Sequence, residues 1–276
     1  MDATGKWKFI NCWAKTCCNG AVPSGLNLLH DRVVIKYPNM DVLKNETLRD
    51  VAPNLPKIDP YPSPNHKQLI QRSFTVDATT IQLLKQQAMQ EKGATHSLSP
   101  PTTFEVLGAH IWISIARAMG ITSENNKPTV LISFVDGRLF LPPPMSPAYT
   151  GNCLFRFDVA SSGTRLMATD GLGRTCDCIA ETVKTAKDII KRGNKMNLGS
   201  LDEMNVFLVG SNRLEVYEAD FGWGKPCLIV HASMNHDGEV AIFAGKEKGT
   251  VQLTVKLNYE AMEKFVHVFQ GFKSHL

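Results

Sequence analysis

The run Asp220-Phe221-Gly222-Trp223-Gly224-Lys225-Pro226 constrains this chain more than any other stretch. Two glycines flank a tryptophan and a proline follows. Neither a helix interior nor a central strand accepts that pattern, so the run reads as a tight turn plugged by an aromatic ring. Asp220 is suited to accept backbone N–H bonds at the bend, and the glycines take dihedrals closed to other residues. Trp223 is expected to bury its ring and give its indole N–H to a carbonyl. The residues before the turn, 213–219, read as a strand.

From its start the chain shows an amphipathic helix over 5–18. Trp7, Ile10, Trp13, Ala14 and Cys17 recur on one face, and Asn19-Gly20 ends it. From Pro23 to about His66 prolines crowd and periodicity fades, which marks a long linker. Gln71 to Val76 alternates like a strand. Asp77 or Thr79 then caps a helix bearing Ile81, Leu84 and Ala88, stopped at Gly93. Thr102-x-x-Glu105 is a capping box, and Phe104, Leu107, Ile111, Ile115 and Ala118 follow on one helical face. Residues 128–135 form a β-prone buried strand that leaves through Asp136-Gly137-Arg138. Next come a helix over 175–191 and strands at 206–209, 214–217, 227–232, 239–244 and 251–257, with Asp237-Gly238 as a hairpin turn. A closing helix uses Tyr259, Met262, Phe265, Val266 and Phe269. Strands interspersed with long helices make the fold class α/β, with helices packed on a mixed sheet.

Composition narrows the function. With 43% hydrophobic and 20% charged residues, a chain of 276 residues can build a sizeable core. A net charge of +4 without a basic run gives no footprint for nucleic acid, while a polyanionic small molecule remains compatible. No apolar run nears the roughly twenty residues that span a bilayer. The cysteines at 12, 17, 18, 153, 176, 178 and 227 are scattered and odd in number, and no signal peptide precedes them. Free thiols in a cytoplasmic protein are expected. Cys176 and Cys178 fall about 200° apart around a helix, so no metal site is expected there. Gly171-Leu172-Gly173 lacks the later glycine and lysine of a phosphate loop.

Asp-Phe-Gly is also the metal-binding triplet of protein kinases, but the Gly-rich loop, strand lysine and His-Arg-Asp loop are missing upstream. His30-Asp31-Arg32 has the wrong order. The longer stretch from Gly210 to Pro226 instead resembles the C-terminal signature of the plant BAHD acyltransferases, which move an acyl group from coenzyme A to a hydroxyl or amine. A second match is Val135-Asp136-Gly137-Arg138, followed by Pro142-Pro143-Pro144 and Tyr149-Thr150-Gly151-Asn152-Cys153. Thr150 stands where the family usually has Phe, and Gly137 where it has Cys or Leu. Thr102-Thr103-Phe104 matches a third stretch. Asp2 matches the Asp of the family's His-x-x-x-Asp motif, with Ala3 in place of the usual Gly. The motif's His, the family's general base, would stand four residues before Asp2, ahead of Met1.

The resemblance implies a chloramphenicol-acetyltransferase-like fold that is N-terminally truncated at the motif Asp. Residues 1–22 would be the remnant of an N-terminal acyltransferase domain, 23–70 the crossover linker and 71–276 the C-terminal acyltransferase domain. It implies acyl-coenzyme A as co-substrate with no bound cofactor, a small-molecule hydroxyl as acceptor, and a monomer at full length. The Gly-Asn-Cys ending and Gly210-Ser211 lean toward the branch that acylates flavonoid and anthocyanin glycosides, with malonyl or hydroxycinnamoyl donors. Asp2 would orient the catalytic loop through a salt bridge to Arg138. Thr102, Thr103 and Arg138 would lie on the coenzyme side, although the two threonines can equally serve only as helix caps. Asp220, Phe221, Gly222, Trp223 and Gly224, with Arg138, would be structural. Asp136 is the local alternative partner for Arg138. No other histidine reads as a substitute base, with His30 and His66 in the linker and His96 in a loop. Two functions stay open: an acyltransferase polypeptide, or a short non-catalytic product that binds a ligand or partner. Trp7 and Trp13 are expected to lie on an exposed apolar face.

Overall fold

Burial on both faces explains the central strands. β2 (Pro128–Asp136) is buried without a break from Thr129 to Ser133 and β6 (Val251–Asn258) from Val251 to Val255, as expected of strands covered from two sides. With β1 (Leu69–Val76), β3 (Leu154–Ser162), β4 (Met204–Ser211) and β5 (Glu239–Ala244) they form one sheet in the order β1-β6-β5-β4-β2-β3. β4 pairs in parallel with β2 and β5, and the remaining neighbours pair antiparallel. The computed structural model describes residues 1–24, 28–31, 68–92, 99–146, 148–194, 204–232 and 234–271. Most of the expected linker, the stop at Gly93, and His66, His96 and His275 lie outside the described residues.

The two sides of the sheet carry different layers. Val240 and Ile242 of β5 join the main core beneath α2 (Ala78–Lys92), α3 (Thr103–Ala118), α5 (Gly171–Lys191) and α6 (Tyr259–Gly271). Ala241 and Phe243 point the other way, to Val216, Tyr217 and Ile229, and to Trp7 of α1 (Ala3–Asn19). That alternation is the period of two of a strand with both faces covered. α3 is the most enclosed helix. Its Trp112 is fully buried and gives its indole N–H to Thr129 Oγ1 of β2 at 3.0 Å.

Local signals account for most helix ends. Thr102 and Glu105 form the capping box of α3, Asp77 rather than Thr79 caps α2 by accepting from Thr80 N at 2.7 Å, and Gly20 closes α1 at φ 68°. α5 begins at Gly171, four residues earlier than expected. Its first-turn amide at Gly173 gives a 2.8 Å bond to Glu91 Oε2 at the end of α2, a cap supplied in trans. A short helix, α4 (Gly163–Leu166), precedes it.

Several expectations are corrected. The strand expected at 214–217 is a 3₁₀ turn over Val216–Glu218. Residues 227–232 form no strand, because side chains meet their carbonyls: Gln71 Nε2 bonds His231 O at 3.0 Å, and Gln252 Nε2 bonds Ile229 O. Asp237-Gly238 turns no hairpin. Asp237 accepts from Asn258 N at 3.0 Å and Asn258 Nδ2 at 2.9 Å, and the chain then enters β5 parallel to β4. β3 has no counterpart among the expected strands. Among the described residues, no helix is long and apolar enough to cross a membrane.

Candidate active site

α1 is held at both ends, with Asp2 and Arg138 at its start and the 220–224 turn at its far end, while Thr102 and Thr103 stand apart at the start of α3. At the start, Asp2 is the N-cap: Oδ1 accepts from Gly5 N at 3.0 Å. Its carboxylate is also the centre of a buried clamp. Arg138 Nη2 lies 3.0 Å from Oδ1 and 2.8 Å from Oδ2, and Cys153 N donates to Oδ2 at 3.0 Å. Arg138, just past the end of β2, reaches three further acceptors. Nε bonds Tyr149 O at 3.2 Å, Nη2 bonds Gly151 O at 2.8 Å, and Nη1 bonds Asp136 Oδ1 at 2.9 Å. Its guanidinium also lies 5.6 Å from the centroid of the Tyr149 ring.

Asp2 and Arg138 are 136 positions apart in sequence, yet the side chain of each is almost wholly buried. A buried carboxylate needs partners for both oxygens, and a planar guanidinium with two backbone amides supplies them. Burial works against the charge on Arg138, but Asp136 and Asp2 outweigh it and the pKa is raised. The local alternative therefore coexists with the long-range pairing: Asp136 binds Arg138 from the half-exposed side while Asp2 binds it from within. The same surroundings act on Cys153. Burial, with Asp136 and Asp2 adding and Arg138 opposing, pushes its thiol up to about 11, so it is a neutral packing group.

The strap 149–153 is fitted closely to the first turn of α1. A Cβ on Gly5 would fall 2.1 Å from Thr150 O, so only glycine allows this approach. Thr150 N donates to Leu29 O at 2.8 Å, and Thr150 Oγ1 lies 2.7 Å from His30 Nδ1. The Thr that departs from the family's Phe thus ties down the segment bearing His30.

At the far end of α1, Asp220 Oδ1 accepts from Gly222 N at 2.8 Å and Gly224 N at 3.0 Å, with φ of 101° and 100° at the two glycines. Cys18 Sγ donates to Asp220 O at 3.3 Å, Asn11 Nδ2 to Glu215 O at 3.1 Å, and Trp13 meets Phe221 edge-on at 5.2 Å. The plug is Phe221. Trp223 is 93% exposed, contrary to expectation, because the left-handed glycines on either side turn its ring outward. Trp13 is exposed as expected, but Trp7 is half-buried against Val216 and Phe243. Asp220→Ala should cost about 1–2 kcal/mol in urea unfolding through two lost bonds to backbone amides. Trp223→Ala should change stability by less than about 0.5 kcal/mol.

Thr102 is exposed and Thr103 half-buried at the start of α3, and neither touches the clamp. The capping box engages the Glu105 amide at 3.3 Å and the Thr102 amide at 2.7 Å. Arg138, expected on the coenzyme side, is 5% exposed and turned inward with four acceptors around it, so its contacts are those of a tie between segments. The backbone groups of Tyr149, Gly151 and Cys153 that complete the clamp carried no signal in the sequence as partners. Among the described residues, no group of His, Cys, Asp and Glu is arranged to hold a metal ion.

This mixed sheet with helices packed on it is the chloramphenicol-acetyltransferase-like fold. F. graminearum TRI101 complexed with coenzyme A and T-2 mycotoxin superposes with a TM-score of 0.68 at 19% identity, over 96% of this chain and 61% of that one. Vinorine synthase gives a TM-score of 0.62 at 18% identity, over 98% and 60%. The chain belongs to the transferase family of BAHD acyl-CoA-dependent acyltransferases, whose model, described as Transferase family, matches residues 1–271. Agmatine coumaroyltransferase of Arabidopsis thaliana is 26% identical over 288 residues, which is 98% of this chain and 62% of the relative. Phenolic glucoside malonyltransferase 2 of the same plant is likewise 26% identical, over 98% and 62%. The chain spans about three fifths of the length of these relatives.

Proposed function

We propose that this chain is the part of an acyl-CoA-dependent acyltransferase that carries the motif Asp, with 1–22 belonging to a first domain, 23–70 a crossover and 71–276 the second domain. The observation that carries the reading is the buried clamp of Asp2, Arg138 and the Cys153 amide. A structural ion pair at this depth fixes the loop that enters α1, and a loop bearing a catalytic base needs that fixity. In the proposed reaction an acceptor hydroxyl oxygen attacks the thioester carbonyl, its proton passes to a general base, and coenzyme A leaves as the thiol. The donor is a malonyl or hydroxycinnamoyl thioester and the acceptor a plant phenolic or flavonoid glycoside, a reading supported by relatives named for coumaroyl and malonyl transfer. Asp2 is a positioning residue. Thr102 and Thr103, at the open end of α3, are the proposed contacts for coenzyme A.

A second reading, a ligand-binding product without turnover, is favoured by one observation. The partners of Asp2 are Arg138 and the amides of Gly5 and Cys153, and no histidine is among them. Both readings keep coenzyme A binding. In equilibrium dialysis with radiolabelled coenzyme A, Thr103→Glu should weaken binding about tenfold or more by opposing the phosphates at the helix start. Saturable binding lost in this variant supports the assignment. Absence of binding by the parent chain, or an unchanged affinity, refutes it.

A further inference from the structure

A second candidate site lies in the helix layer, on the opposite side of the sheet from α1. α2, α3, the α4–α5 turn and α6 enclose a cavity of about 830 Å³, open on one side. This volume is within the range of small-molecule sites. It is also far from the clamp. α3 ends before β2 begins, while Arg138 follows the other end of that nine-residue strand, about 26 Å along.

His110, Ser114 and Arg117 of α3 line one wall at spacings of four and three, one face of a helix. Ser114 is 1% exposed and lies on this wall, where its hydroxyl can serve as donor or acceptor. Arg117 is exposed at the rim, and its Nε lies 3.2 Å from Met167 Sδ. No carboxylate among the described residues pairs with it. Glu91 also lines the cavity, with its oxygens turned to Gln87 Nε2 at 2.7 Å and to the Gly173 amide at 2.8 Å. Burial, reinforced by Arg117, draws His110 down to about 4 despite the opposing backbone bond at Phe269, so its imidazole is uncharged at neutral pH. Ile113, Leu166 and Met167 supply apolar surface.

We propose that this cavity binds a small organic carboxylate, its anionic head on Arg117 and the Ser114 hydroxyl and its hydrocarbon body against Ile113, Leu166 and Met167. One guanidinium without a carboxylate partner among the described residues, on the same helix face as a hydroxyl, selects a monoanion with a compact head. The apolar wall selects an attached aryl or alkyl body over a free inorganic ion. This site is separate from the proposed acyl-transfer site and does not depend on that reading.

Titration calorimetry with cinnamate, using cinnamyl alcohol as the uncharged match, tests it on the full chain. Cinnamate should bind saturably, the alcohol about tenfold or more weakly, and Arg117→Met should remove that difference. Arg117→Lys should retain part of it, and Ser114→Ala should weaken cinnamate by about fivefold. Circular dichroism of the variants separates lost binding from lost folding. Met167→Trp, which adds bulk to the apolar wall beside Arg117, provides an independent arm and should weaken binding about tenfold or more. The proposal is overturned by no saturation at about 10 mM cinnamate. Equal affinity for acid and alcohol, or binding indifferent to Arg117→Met and Met167→Trp, overturns it as well.

Discussion

Arg138→Ala should lower the unfolding free energy of the chain by about 3–5 kcal/mol, measured by urea denaturation followed through tryptophan fluorescence. The magnitude comes from what the substitution leaves behind. Asp2 would keep the amides of Gly5 and Cys153 but lose its guanidinium partner, and its side chain has no exposure through which water can compensate. Asp136, at 42% side-chain exposure, simply returns to solvent. Tyr149 O and Gly151 O would lose their donors as well. Asp2→Ala should be the milder change, because Arg138 retains Asp136 and two carbonyls. The double variant should cost less than the sum of the two, since each single change already breaks the shared interaction. Strictly additive losses, or an Arg138→Ala effect below about 1 kcal/mol, would show that the clamp is not coupled.

The clamp also shows which parts of the site were legible in the sequence. Asp2 and Arg138 could be paired across the chain because each belongs to a motif and their side-chain chemistries match. The Cys153 amide and the Tyr149 and Gly151 carbonyls could not be found this way, since a backbone group carries no residue identity. The same limit explains the fold errors. Residues 227–232 have strand-forming side chains, but Gln71 and Gln252 satisfy their carbonyls, so the ladder never extends to them. β3 carries Phe155, Phe157 and Val159 in alternation with Arg156 and Asp158, a period of two that is visible once the edge position beside β2 is known. Capping signals were more dependable, because Thr102, Asp77 and Gly20 act within a few residues of themselves. The turn at 220–226 was legible for its backbone and misleading for its ring: positive φ at two glycines fixes the bend, and that bend is what sends Trp223 outward.

Residues 1–276 expressed alone should transfer acyl groups at least about 100-fold more slowly than a related enzyme bearing the complete His-x-x-x-Asp motif, the lower bound of what general acid–base help contributes. The candidates for a substitute base fail one by one on their surroundings. Asp2 is committed to Arg138 and two amides, so its carboxylate has no access to an acceptor hydroxyl. Cys153 is buried, and its thiol is held up at about 11. His110 sits in the helix layer, where burial keeps it near 4. His30 is engaged by Thr150 Oγ1, which lies 2.7 Å from its Nδ1. Rates should be measured with malonyl-CoA and 4-coumaroyl-CoA against a flavonoid glucoside, in parallel with coenzyme A binding. A chain extended so that a histidine stands four residues before Asp2 should recover turnover with little change in that binding, because the proposed base acts on the attacking hydroxyl and the proposed coenzyme contacts, Thr102 and Thr103, lie elsewhere. Turnover by the 276 residues within tenfold of the complete enzyme would refute this division of labour, and so would an extended chain that binds coenzyme A but stays inactive.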